Sequence, residues 1–128
     1  MSEIQLAPYI NFQGRAREAM EFYASALGGV PKLQTSPDGR VAHARLDAEG
    51  VRIVGSDGHP DYPPAVGDSI ALALSGSDVE RITAIFNALA EGGHIKGPLK
   101  AQPWGGGATG WLADKFGVNW MISIDSAS

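Results

Sequence analysis

Two residues carry most of the chemistry this sequence offers. His43 and Arg45 lie two positions apart in the run Val41-Ala-His-Ala-Arg-Leu46. An imidazole titrates near neutral pH and can give or take a proton, while a guanidinium can orient an anion or a carbonyl. If the run is a strand, alternation puts Val41, His43 and Arg45 on one face and Ala42, Ala44 and Leu46 on the other. The small apolar face suits helix packing, so His43 and Arg45 are expected to look toward a ligand or solvent. A structural histidine, bonded to a neighbouring strand or across a dimer, is the competing reading. In Pro8-Tyr-Ile-Asn-Phe12 the same alternation sets Tyr9 and Asn11 against Ile10 and Phe12. With Ile10 and Phe12 in the core, Tyr9 and Asn11 face a pocket, although solvation at a sheet edge accounts for Asn11 equally well.

Three further patterns invite a functional reading. Asp57-Gly-His59-Pro-Asp61 alternates groups that can touch one ion, but its glycine and proline more simply make a turn. Gly105-Gly-Gly107-Ala-Thr-Gly110 satisfies GxGxxG letter for letter. A dinucleotide fingerprint also needs a strand before it and a helix opening inside it, and neither is indicated here. A loop over a pocket mouth, anchored by Trp104, is the expectation instead. Trp111 and Trp120 are expected in a core or an interface, and Arg15, Arg17 and Glu18 in solvent. No Ser-His-Asp order, paired-carboxylate spacing or basic-aromatic stripe is present.

The elements that must position these residues are short. The chain's 17 glycines and 8 prolines punctuate it at fairly even spacing. Strands are expected at Gln5–Phe12, Val30–Gln34, Arg40–Asp47 and Val51–Ser56, with turns at Ser36-Pro-Asp-Gly39 and Ala48-Glu-Gly50. A helix from Arg15 to Leu27 has Ala16, Ala19, Met20, Tyr23 and Leu27 at helical spacing, and Gly28-Gly29 ends it. The second half repeats the order. A strand at Ser69–Leu74 precedes a helix N-capped by Asp78 and running to Ala90, with Ile82, Ile85, Phe86 and Leu89 as its apolar stripe. Strands at His94–Lys96, Gly110–Ala113 and Val118–Ile124 follow. Phe22 stands six residues before Gly28-Gly29, and Phe86 six before Gly92-Gly93. Leu46-Asp-Ala-Glu-Gly-Val51 is echoed by Ala113-Asp-Lys-Phe-Gly-Val118. Residues 1–57 and 67–128 therefore read as two βαβββ modules of a single domain, joined by a proline-rich linker at 58–66. Pairing them is expected to make a concave mixed sheet with a cleft and the helices on the outer face.

Composition narrows the function classes. At 128 residues, 44% of them hydrophobic and 19% charged, the chain has material for one core. Fourteen acidic against ten basic residues, net −4, argue against nucleic acid or an anionic membrane as partner. The absence of cysteine removes disulfides, thiol nucleophiles and cysteine-zinc sites. No signal peptide or membrane-spanning run is read, so a cytoplasmic location is expected.

Several strings together resemble one superfamily. They are Pro8-Tyr-Ile-Asn-Phe12, Glu18-Ala-Met-Glu-Phe-Tyr23 ahead of Gly28-Gly29, Val41–Leu46, Leu89-Ala-Glu-Gly-Gly93, Trp104-Gly105 and Asp114-Lys-Phe-Gly-Val-Asn-Trp-Met121. In this order they are similar to the vicinal oxygen chelate superfamily of glyoxalases, bleomycin-resistance proteins and extradiol dioxygenases, and within it to the PhnB-like group. The resemblance implies paired βαβββ modules (an α+β fold), commonly a homodimer, and a pocket on the concave sheet. It does not imply one reaction. Metal-dependent members place four His, Glu or Gln ligands at positions that fall here on Ala7 or Pro8, Val54, Ser69 and Met121. None of these supplies a carboxylate or imidazole, and a shift of a residue or two reaches only Asp57 and Asn119. No metal and no cofactor are therefore expected. Sequences of this group sometimes carry a methyltransferase label, but the chain lacks the length and doubly wound alternation of a usual S-adenosylmethionine fold. The leading expectation is a metal-free protein binding a small organic ligand through Tyr9, Asn11, His43, Arg45 and Trp104. The alternatives are an isomerase or lyase acting through His43 on a small carbonyl or phosphonate compound, and a dimerisation module without ligand.

Overall fold

Apolar residues at helical spacing nucleate one helix in each half of the chain. In the computed structural model, which describes residues 7–58, 70–101 and 107–125, α1 (Ala16–Leu27) buries Ala16, Ala19, Met20, Tyr23 and Leu27. Its end is set by Gly28, whose φ of 92° is open to glycine at little cost. In the second half α2 (Val79–Ala90) buries Ile82, Ile85, Phe86 and Leu89. The Asp78 carboxylate caps it by accepting the Arg81 amide at 3.1 Å. No helix among the described residues is long and apolar enough to cross a membrane.

The chain divides into two compact units, Met1–Ala65 and Val66–Ser128. In the first, strands β1 (Tyr9–Asn11), β2 (Lys32–Thr35), β3 (Val41–Ala48) and β4 (Val51–Ser56) form a sheet in the order β1-β4-β3-β2. Only β1 and β4 run parallel. Helix α1 packs on β3 and β4, over a core of Ala44, Leu46 and Ile53. Phe12 closes one end of that core and lies near Tyr23, ring centroids 6.0 Å apart.

Asp57, just after β4, ties this unit together. One carboxylate oxygen accepts the Ala16 amide at 2.9 Å and the other accepts the Val41 amide at 2.8 Å. A side chain 41 positions away thus satisfies one of the orphan donors at the start of α1, where Arg15 makes no side-chain cap.

The second unit repeats the order with β5 (Leu72–Gly76), β6 (His94–Ala101), β7 (Ala108–Ala113) and β8 (Asn119–Ile124), arranged β5-β8-β7-β6. Each half is therefore a βαβββ module of the expected α+β kind. Trp120, Ile122 and Leu112 are buried on the α2 side. Asp114 organises the β7–β8 turn. Its Oδ1 accepts the Phe116 and Val118 amides, and its Oδ2 accepts the Trp120 indole N–H at 2.9 Å.

Several expected boundaries move. Strand β6 runs on to Ala101 rather than stopping at Lys96, because two bulges carry it past Gly97 and Pro98. Strand β5 begins at Leu72 rather than Ser69, a residue outside the described set. Of the strand expected at Gln5–Phe12, Tyr9–Asn11 is extended, and residues 5–6 lie outside the described set. The expected linker, apart from Gly58, lies outside it as well.

Candidate functional site

The face of the first sheet turned away from α1 carries the polar chemistry. Simple alternation places Val41 there, and the structure corrects this. Gln34 pairs with His43 but Thr35 pairs with Val41, so Ala42 is an extra residue, a β-bulge. The bulge reverses the phase of the strand: Val41 joins Ala44 and Leu46 in the core, and Ala42 is exposed. Beyond the bulge, His43, Arg45 and Asp47 share the face away from the helix.

Register then fixes the neighbours. Tyr9 pairs with Val54, Val54 with Arg45, and Arg45 with Lys32, a row running across all four strands. One step along, Asn11 pairs with Ser56, and His43 with Gln34. On the other side Asp47 pairs with Arg52. Tyr9, Asn11, His43 and Arg45 thus project from one face, as their alternation suggests. Tyr9 and His43 are exposed, and Asn11 and Arg45 are half-buried.

Their surroundings differ. Asn11 Oδ1 accepts the Gln13 amide at 2.9 Å, and the side chain lies against Gly58, so it serves the turn after β1. The His43 imidazole makes no side-chain hydrogen bond among the described residues. Asp47 sits between two guanidinium groups, accepting from Arg52 Nε at 2.7 Å and lying 2.9 Å from Arg45 Nε. The Arg52 hydrogen bond holds the Asp47 carboxyl below the usual carboxylate range against the opposing effect of burial, and the charges of Arg45, Arg52 and Lys32 add to it. Arg45 Nε itself is buried and its N–H is not aimed at the carboxylate, so it makes no hydrogen bond among the described residues. Trp104 lies outside those residues, as do His59 and Asp61.

Sequence reasoning missed Lys32. Counting back from the Ser36–Gly39 turn without a bulge sets Lys32 opposite Ala44, and only the extra residue at Ala42 brings it opposite Arg45. Asp47 and Arg52 were also missed. The signal available was their symmetric placement about the Glu49-Gly50 turn.

The second sheet has a corresponding row, Ala73–Met121–Trp111–Gly97, on the face turned away from α2. Trp111 rests on Gly97, where a Cβ would come within 3.0 Å of the ring. Trp120 is a core residue as expected, but Trp111 is only half-buried.

Donor chemistry at the superfamily's metal positions does not fit a metal. Val54 and Met121 occupy the faces away from the helices, Ala7 and Pro8 offer no side-chain donor, and Ser69 is outside the described residues. The two nearest alternatives are engaged. Asp57 holds Ala16 and Val41, while Asn119 accepts from Lys96 Nζ at 3.0 Å and donates to the Ile70 carbonyl at 3.1 Å.

Comparison with known proteins places this architecture. The profile of a family described as 3-demethylubiquinone-9 3-methyltransferase matches residues 4–123. The chain belongs to that family, the PhnB-like group. The crystal structure of PA1353 from Pseudomonas aeruginosa is similar to this PhnB-like chain at 31% identity and a TM-score of 0.87, over 98% of this chain and all of that one. The PhnB protein of Bacillus cereus is 26% identical with a TM-score of 0.82, over 94% of this chain and 99% of that one. A glyoxalase/bleomycin resistance protein/dioxygenase superfamily member from Sphaerobacter thermophilus shares the fold, with a TM-score of 0.64 at 18% identity over 96% and 98% of the two chains.

Proposed function

We propose that this PhnB-like protein binds a small organic ligand, without a metal, on the face of β1–β4 turned away from α1. The observation that carries the reading is the single row that brings Tyr9, Val54, Arg45 and Lys32 together, with His43 beside it. It combines an aromatic ring, an apolar floor and charged donors, the mixture a small-molecule site needs. The absence of carboxylate and imidazole donors at Val54 and Met121 supports the metal-free part. The family's methyltransferase description receives no support from topology. Each sheet has one parallel strand pair and a helix on one face, not the doubly wound parallel sheet of a usual S-adenosylmethionine fold.

A second reading makes the protein an isomerase or lyase that uses His43 as acid or base. The exposed imidazole two positions from Arg45 favours it, being placed to exchange a proton with whatever Arg45 orients. The assembly we propose is a homodimer. End strand β6 carries Lys96, Pro98 and Lys100 with two bulges, and end strand β2 carries Lys32, all of which discourage edge pairing, whereas β1 and β5 carry neither lysine, proline nor bulge.

Native mass spectrometry of freshly isolated protein tests these readings together. A dimer mass with an organic adduct that Arg45→Gln loses is the expected result. A stoichiometric transition-metal adduct, or an organic adduct indifferent to Arg45→Gln, overturns the assignment. Turnover abolished by His43→Ala with binding retained would favour the enzyme.

A further inference from the structure

Lys32 and Arg45 are direct partners on adjacent antiparallel strands, so their side chains leave the same face of the sheet. Like charges in this relation destabilise a strand pair, since directly opposed Cβ atoms stand only about 4.5–5.5 Å apart. Arg52 adds a third cation on the neighbouring rung, and Asp47 is the one carboxylate among the strand positions of this face. Asp47 accepts a hydrogen bond from Arg52 but none from Arg45, whose Nε is buried without one. An acidic chain of net −4 does not arrive at such a rung through a general excess of base. Local conflicts of this kind are expected where a site is prepared for something else.

We propose that the Lys32–Arg45 rung binds an oxyanion, so that the ligand carries a carboxylate, phosphate or phosphonate group. This rests on the ligand-binding reading above and names the chemical class of the ligand. A neutral carbonyl compound would leave the Lys32–Arg45 repulsion in place, whereas an oxyanion between the two relieves it. The division of labour follows from the side chains. Arg45 presents a planar fork suited to two oxygens, and Lys32 a mobile point charge. Asp47 is a positioning residue, restraining Arg45 through the ion pair at 2.9 Å. His43, one step along the same face, stands beside the bound group without opposing it.

The test uses the full chain and two probes, inorganic phosphate and acetate, each compared with chloride at equal ionic strength. Amide chemical shifts and melting temperature are followed for wild type, Lys32→Gln and Arg45→Gln. One or both probes should shift β2–β4 amides and raise the wild-type melting temperature, phosphate alone indicating a tetrahedral group and acetate alone a carboxylate. Each variant should bind the effective probe at least tenfold more weakly. Without probe, Lys32→Gln should melt at or above wild type, because it removes the repulsion. A Lys32→Gln protein that melts lower, variants that keep wild-type affinity, or chloride acting as well as the oxyanions would each overturn the proposal. An uncharged organic adduct retained by both variants in native mass spectrometry would defeat the oxyanion and leave ligand binding standing. No adduct and no probe response would defeat both.

Discussion

Trp120 donates its indole N–H to Asp114 Oδ2 at 2.9 Å, within a turn whose amides the same carboxylate gathers on its other oxygen. The string Asp114-Lys-Phe-Gly-Val-Asn-Trp120 is therefore a folding motif. It joins the β7–β8 turn to the core beneath α2, and both of its polar ends are buried.

Asp114→Ala should destabilise the protein by about 2–4 kcal/mol, because it removes a carboxylate that accepts three buried or half-buried N–H groups. Asp114→Asn should recover only part of that, since an amide can serve the two turn N–H groups but turns a donor toward the indole. Urea denaturation of the three proteins checks the order.

Asp57→Ala should cost about 1–3 kcal/mol through loss of the α1 cap and of the bond to β3. The amides of Ala16 and Val41 should lose hydrogen-exchange protection well before those of α2. Equal loss across both units would contradict the role given to Asp57.

Acid should act through Asp47. Its folded pKa lies below the ordinary value, so its contribution is complete above about pH 4 and disappears as pH falls through the lower folded value. Asp38, held low first by the Ser36 hydroxyl and then by the Arg40 amide, works in the same direction. The readout is thus the difference between curves. Melting temperature should fall less between pH 5 and about pH 2.5 in Asp47→Asn than in wild type. Parallel curves would remove Asp47 from the account.

Elemental analysis of protein purified without chelator should find no stoichiometric Ni, Zn, Fe or Mn, and EDTA should leave the melting temperature unchanged. One tightly held ion per chain would show that donors other than those at the superfamily's positions assemble a site.

Much of the fold was legible in the sequence. Ala16, Ala19, Met20, Tyr23 and Leu27 define the buried side of α1 at their spacing alone, and Asp78 announces the start of α2. The side-chain period of a strand also grouped Tyr9, Asn11, His43 and Arg45 correctly. It failed at Val41, because a period of two survives only while the ladder is unbroken, and nothing in Val-Ala-His-Ala-Arg announces the bulge. The same bulge hid the partnership of Lys32 with Arg45. Asn11 illustrates a different limit: alternation gave its face, but its bond to the Gln13 amide depends on the path of the chain after β1.

The two corresponding rows, Tyr9–Val54–Arg45–Lys32 and Ala73–Met121–Trp111–Gly97, have a consequence for how such a protein can change. Were the modules separate copies of one gene product, every substitution would appear in both, and a cationic row could be gained only by doubling it. Fusion into one chain lifts that obligation. Arg45 can be exchanged while Trp111 stays, so each half can accept substitutions that the other does not repeat. The Asp114 turn shows the same independence, since its carboxylate gathers the Phe116 and Val118 amides and the Trp120 indole while Asp47, in the other half, pairs with Arg45 and Arg52.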